Sequence, residues 1–167
     1  MRYAQIRKID ISNGIGIRTS LFVQGCTRRC KGCFNPETWD FQGGLEWNEH
    51  SEEEFFKLTG GEHIEGATIL GGEPMEPENR GTVRELLKKL KQRYPQKNTW
   101  MYSSFLFEEI REVDPEILEY LDVLVDGPFE EEKKDLNLRF RGSSNQRIID
   151  VKASLEKGAA VPLDLSQ

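Results

Sequence analysis

The 167-residue sequence predicts an α/β fold, an open, incomplete (β/α) barrel of about five to six units on a mainly parallel sheet. Three observations carry this expectation. Short apolar runs rich in strand formers alternate with segments of helical periodicity, the pattern of parallel βαβ units. A complete eight-unit barrel takes about 250 residues, so this chain is too short to close one. No internal repeat, low-complexity stretch or linker divides it, and residues 1–167 read as one domain.

The elements follow in order. Arg18-Thr19-Ser20-Leu21-Phe22-Val23 is rich in strand formers, and residues 4–11 are placed beside it as an extra strand. Ser51-Glu52-Glu53-Glu54 has capping-box spacing and starts a short helix that ends at Gly60-Gly61. Ala67-Thr68-Ile69-Leu70 is a buried strand stopped by Gly71-Gly72. Val83, Leu86, Leu87 and Leu90 recur at i, i+3, i+4 and i+7, one face of a helix that ends at Tyr94-Pro95. Thr99 to Ser103 is the next strand, and residues 107–113 and 115–120 are helical. Val123-Leu124-Val125 is a strand stopped at Asp126-Gly127-Pro128, and Ile148 to Val151 is a last one.

Composition narrows the function classes. Apolar residues are 37% of the chain and charged residues 31%, a globular balance. A net charge of −6 gives no whole-protein attraction to nucleic acid or anionic membrane. No apolar run approaches the roughly 20 residues of a membrane span. The first eight residues lack the apolar core of a signal peptide, so a cytoplasmic protein is expected.

All three cysteines fall in the spacing Cys26-x-x-x-Cys30-x-x-Cys33, directly after a predicted strand. An odd, clustered set is a poor disulfide framework and points to metal or catalysis. Soft thiolates suit zinc and iron–sulfur clusters. A structural zinc site needs four protein ligands, and His50 and His63 lie far along the chain. Three ligands on one tight loop suit a cubane with one iron left open. A zinc site completed by one histidine, and simple buried thiols, stay open on spacing alone.

In a parallel α/β fold the chemistry sits at the carboxyl ends of the strands. Gly71-Gly72-Glu73-Pro74 stands at such an end. Glycines admit close backbone approach and Pro74 stiffens the turn. Carbonyls and the Glu73 carboxylate would match a ligand ammonium group, although an ordinary strand-to-helix turn explains the same residues. Ser103 and Ser104 end the next strand and offer hydroxyls, or cap a turn. Arg141-Gly142-Ser143-Ser144-Asn145-Gln146-Arg147 is a polar loop, and Glu130 to Asp135 is a charge run with the composition of a solvated face. For Trp39, Phe41 and Trp47, packing beside the cysteine loop is one reading and core packing the favoured one.

The cysteine spacing resembles the signature of the radical S-adenosylmethionine (SAM) superfamily. The longer string Phe22-Val23-Gln24-Gly25-Cys26 and Cys30-Lys31-Gly32-Cys33-Phe34-Asn35-Pro36-Glu37-Thr38-Trp39 is similar to the anaerobic ribonucleoside-triphosphate reductase activating proteins. The likeness extends from about residue 5 to about residue 150, and Arg141–Arg147 matches a hallmark of that family. It implies that Cys26, Cys30 and Cys33 hold a [4Fe-4S] cluster whose fourth iron binds SAM. It implies further that Gly71, Gly72 and Glu73 form the Gly-Gly-Glu-Pro motif that receives the SAM amino group.

Gly32, Cys33 and Phe34 on the cysteine loop, with Ser103 and Asp126 at later strand ends, complete the implied cofactor-binding set. In the wider superfamily an aromatic residue precedes the third cysteine and shields the cluster; here Gly32 precedes it and Phe34 follows, as in the activase family. Some sister activases carry Asp-x-Lys where this chain has Asp126-Gly127-Pro128, so the lysine contact is lost. The implied reaction is reductive cleavage of SAM and formation of a glycyl radical on the large subunit of an anaerobic ribonucleotide reductase. A flavodoxin or ferredoxin is the implied electron donor. Activation of another glycyl radical enzyme, small-molecule radical SAM chemistry, and a non-catalytic zinc module are the alternatives.

Overall fold

A computed structural model describes residues 1–166. Strand β1 (Arg2–Asp10) turns back antiparallel onto β2 (Arg18–Val23). A 3-10 turn (Pro36–Thr38), the two-residue strand β3 (Leu45–Glu46) and helix α1 (Glu49–Thr59) follow. Then come β4 (Gly66–Gly71), α2 (Pro77–Arg93), β5 (Asn98–Ser103), α3 (Phe107–Val113), α4 (Pro115–Leu118) and β6 (Val123–Asp126). A second 3-10 turn (Glu131–Lys133), β7 (Arg147–Asp150) and α5 (Val151–Lys157) end the order.

The seven strands form one sheet in the order β3-β1-β2-β4-β5-β6-β7. Strands β2, β4, β5 and β6 are parallel, because α1, α2 and the α3–α4 pair carry the chain back between them. The expected five to six parallel units are thus four parallel strands with antiparallel flanks. The reason lies in the last connection. Residues 127–146 contain a 3-10 turn but no crossover helix, so the chain re-enters beside β6 running the other way. Asp126 and Arg147 face each other in that register.

Alternation along the strands separates two faces. Leu21, Val23, Ile69, Met101, Leu124 and Ile149 meet side chains from all five helices in one core. Val83, Leu86, Leu87 and Leu90 of α2 are fully buried there, as their periodicity predicted; each stabilises the fold by about 1.5–3 kcal/mol over an exposed position. The opposite face carries Trp100, Val123, Val125 and Ile148. It also buries Arg18, which donates to Thr68 Oγ1 at 2.7 Å and to the Ala67 carbonyl at 2.9 Å and lies over the Trp100 ring. Burial lowers the Arg18 guanidinium pKa to about 10.

Three boundaries depart from the sequence expectation. Asn48, not Ser51, is the N-cap of α1: Asn48 Oδ1 accepts from the Ser51 amide at 3.0 Å and Ser51 Oγ from the Asn48 amide at 2.8 Å. Val151 leaves β7 to open α5, because the Asp150 carboxylate accepts the Ala153 amide and starts a helix. Residues 119–120 lie beyond α4. No helix among the described residues is long and apolar enough to cross a membrane.

Candidate active site

The loop after β2 is tightly wound, with left-handed backbone at Gly25, Arg29 and Gly32. It places Cys26, Cys30 and Cys33 on one wall of a cavity of about 390 Å³ at the carboxyl ends of the parallel strands. All three thiols are half-buried. Burial pushes the Cys26 and Cys30 thiols up; the Arg28 and Arg29 amides oppose this at Cys26, and the Phe129 amide at Cys30. A bound metal cation reverses that balance and leaves thiolates. The Asn35 amide donates to Cys33 Sγ at 3.4 Å.

The donor set fits a cluster better than a single zinc ion. His50 and His63 are exposed and do not line the cavity. Among the described residues no three His, Cys, Asp or Glu side chains converge on one metal-ion position, whereas a cubane presents a separate iron to each thiolate. Trp39 lines the same cavity, and its buried indole N–H has no partner among the described residues. Sulfur in a cluster is an acceptor of the kind such a donor lacks.

Gly71 and Gly72 form the facing wall. Their glycine character has a local cause. Gly71 has φ +109°, and a Cβ there would lie 2.7 Å from Val23 N and O. A Cβ on Gly72 would lie 2.6 Å from the Gly25 carbonyl oxygen. The turn is thus pressed against the cysteine strand itself, with the Gly72 amide on the Val23 carbonyl and the Glu73 amide on the Gly25 carbonyl, each at 2.8 Å.

Glu73 is 2% exposed, and its carboxylate accepts four hydrogen bonds. Ser103 Oγ donates at 2.7 Å, the Met75 amide at 2.9 Å, the Ser104 amide at 2.7 Å and Ser104 Oγ at 2.6 Å. Burial pushes the Glu73 carboxyl upward, against the pull of these donors. All its strong acceptor positions are in use. The structure therefore ties Glu73 to the end of β5, which the sequence did not foretell, and unites Ser103 and Glu73 in one network on the cavity wall.

Asp126 is placed differently from the sequence expectation. It is fully buried and does not line the cavity; Gly127 does. Its carboxylate accepts Arg147 Nε at 2.9 Å, Arg147 Nη2 at 2.5 Å and the Phe107 amide at 2.7 Å. Arg147 also pairs with Glu108 at 2.8 Å. Gly32 likewise lies off the cavity wall, with its α-carbon turned toward Glu131.

Comparison with known proteins gives the family. A family described as "4Fe-4S single cluster domain" matches residues 12–149. The anaerobic ribonucleoside-triphosphate reductase-activating protein of Pasteurella multocida is 38% identical over 152 residues, covering 89% of this chain and 96% of the relative. Its counterparts from phage T4 and Escherichia coli K12 are 36% and 33% identical, with 93% and 97% of their lengths covered. The chain belongs to the family of anaerobic ribonucleoside-triphosphate reductase-activating proteins.

Within this activating-protein family member, the Arg141–Arg147 segment closes the cavity. Gln146 Oε1 accepts the Gly142 amide at 2.9 Å, and its Nε2 donates to the Gly127 carbonyl at 3.1 Å. Asn145 Nδ2 donates to the Pro128 carbonyl at 2.7 Å. The segment is thereby laid over the end of β6. Gly142 packs against Phe34 and Phe129, whose ring centroids are 5.0 Å apart. Phe34 lines the cavity while remaining 53% exposed, so it stands at the mouth. The 130–135 charge run is exposed from Glu131 to Asp135, as a solvated face is, and Glu131 makes a surface ion pair with Lys31 of the cysteine loop at 3.7 Å. Tyr102 and Phe129 also line the cavity and were not found by sequence reasoning, since they carry no motif of their own. Gln146 belongs to the Arg141–Arg147 hallmark, and the β6–β7 connection brings it to the site.

Proposed function

We propose that this chain is a SAM-dependent activase that generates a glycyl radical on an anaerobic (class III) ribonucleotide reductase. One observation carries the proposal: Cys26, Cys30 and Cys33 share a single cavity with Gly71, Gly72, Glu73 and Ser103. Held by Cys26, Cys30 and Cys33, a reduced [4Fe-4S] cluster would supply the one electron for reductive cleavage of SAM to methionine, and hydrogen-atom transfer from a glycine α-carbon of the partner would yield 5′-deoxyadenosine and the glycyl radical.

The chain's residues supply placement. Cys26, Cys30 and Cys33 would hold the cluster as thiolates, and with three protein ligands one iron would stay open to SAM. The Gly72 carbonyl accepts no hydrogen bond within the described chain and is free for the SAM ammonium group. Glu73 contributes its negative charge from behind and fixes Ser103 and Ser104 at the cavity edge. Phe34 shields the mouth. The sheet has two unclosed edges, β3 and β7, which leave a flank for a polypeptide loop. A flavodoxin or ferredoxin is the proposed electron donor, and the cytoplasm the proposed compartment.

Electron paramagnetic resonance tests the proposal. Reduced, reconstituted protein mixed with SAM and the reductase large subunit is expected to give a glycyl doublet that is absent when SAM is withheld. No doublet with a fully loaded cluster and cleaved SAM would overturn the choice of partner.

A further inference from the structure

Beside the cavity lies a contact to which the proposed chemistry gives no role. Glu76 is 5% exposed at the start of α2. Its Oε1 accepts the Thr27 amide at 2.8 Å and the Thr27 hydroxyl at 2.7 Å. Thr27 is itself exposed and directly follows Cys26. A buried carboxylate costs free energy unless it is hydrogen-bonded, and here both donors come from one residue of the cysteine loop.

The surroundings make this contact one of a set. Glu73 N–H donates to the Gly25 carbonyl at 2.8 Å, and Asn79 Nδ2 to the Gln24 carbonyl at 3.0 Å. Residues on both sides of Cys26 are therefore tied to the segment from Glu73 to Asn79. That segment is locked internally, with the Glu76 amide and Asn79 Nδ2 both on the Glu73 carbonyl. The rest of the cysteine loop is held from elsewhere: the Phe129 amide faces Cys30, and Lys31 pairs with Glu131. Among the described residues, only the Cys26 arm of the loop is hydrogen-bonded to the Glu73–Asn79 segment.

We propose that Glu76 is a positioning residue which, through Thr27, fixes the Cys26 arm of the cluster loop against the Gly72–Glu73 turn. A ligand held on that turn then meets the cluster at a set distance. This rests on the cluster and SAM reading above. The contact is geometric, so an uncharged acceptor of the same shape preserves it.

The test compares Glu76→Ala, Glu76→Gln and Thr27→Val with the unmodified protein. Each is reconstituted, its iron counted, and SAM titrated against the electron paramagnetic resonance signal of the chemically reduced cluster. All variants are expected to keep about four irons. Glu76→Ala should raise the SAM concentration for half the spectral change about tenfold, and Thr27→Val about threefold; Glu76→Gln, whose amide oxygen accepts both bonds, should stay within about twofold. An unshifted titration in Glu76→Ala or Thr27→Val overturns the proposal, even if the thermal midpoint of the protein falls. So does Glu76→Gln behaving like Glu76→Ala, since charge rather than position would then be the cause. Should Glu76→Ala not fold, Thr27→Val, at an exposed position, decides. Unmodified protein that assembles no cluster, or shows no SAM-dependent change, overturns the underlying reading and this proposal with it.

Discussion

Replacing Cys26, Cys30 or Cys33 with Ala is expected to abolish activation of the reductase. The sequence has three cysteines in all, so no spare thiolate can take over an iron. The two histidines are exposed and off the cavity wall. Iron and sulfide should fall well below the about four of each that a cubane requires, and the absorption near 400 nm should fade with them. The fold should survive, since the cysteine loop lies outside the helix-packed core. A Cys30→Ala protein with full activity and a complete cluster would remove Cys30 from the ligand set.

Glu73→Ala is expected to act on two properties at once. It leaves Ser103 Oγ, Ser104 Oγ and the Met75 and Ser104 amides without their acceptor. An orphaned buried donor costs about 1–3 kcal/mol, and water from the adjoining cavity can satisfy some of the four, so a loss of about 2–4 kcal/mol in the unfolding free energy is expected. SAM affinity should drop about tenfold, because the turn loses the charge behind it and Ser103 and Ser104 lose their anchor at the cavity edge. Iron content should hold, because Glu73 is not a ligand. Denaturant titration of the metal-free protein and calorimetric SAM binding separate the two effects. Normal SAM binding with lost iron would mean that the turn serves the cluster instead.

The strongly patterned parts of the fold were legible in the sequence. The i, i+3, i+4, i+7 spacing of Val83, Leu86, Leu87 and Leu90 returned as the buried face of α2, and each apolar run ending in glycine or serine returned as a strand. What the sequence hid was long-range. β3 is two residues and has no periodicity to detect. β7 runs antiparallel because residues 127–146 lack a crossover helix, a fact about a connection rather than about the strand. That register brings Arg147 opposite Asp126, so the buried carboxylate pairs with a partly exposed guanidinium and stays off the cavity wall.

The candidate site shows the same division. The cysteines and the glycine–glutamate turn, both singled out by residue type and spacing, come together in one cavity. Glu73 was readable as a carboxylate at the site but not as the acceptor for Ser103 and Ser104, which lie thirty residues on. Glu76 gave no signal at all, since a glutamate near the start of a helix is ordinary. Its meaning lies in Thr27, forty-nine residues earlier in the chain.

The most direct test of the proposed activity follows one hydrogen atom. A reductase labelled with α-deuterated glycine is incubated anaerobically with the reduced protein and SAM, and the 5′-deoxyadenosine is analysed by mass spectrometry. Deuterium in the 5′-deoxyadenosine, appearing together with the glycyl doublet and lost with it when the partner glycine is replaced by Ala, is the expected result. Unlabelled 5′-deoxyadenosine from a reaction that still forms the doublet would contradict direct abstraction by this chain's site.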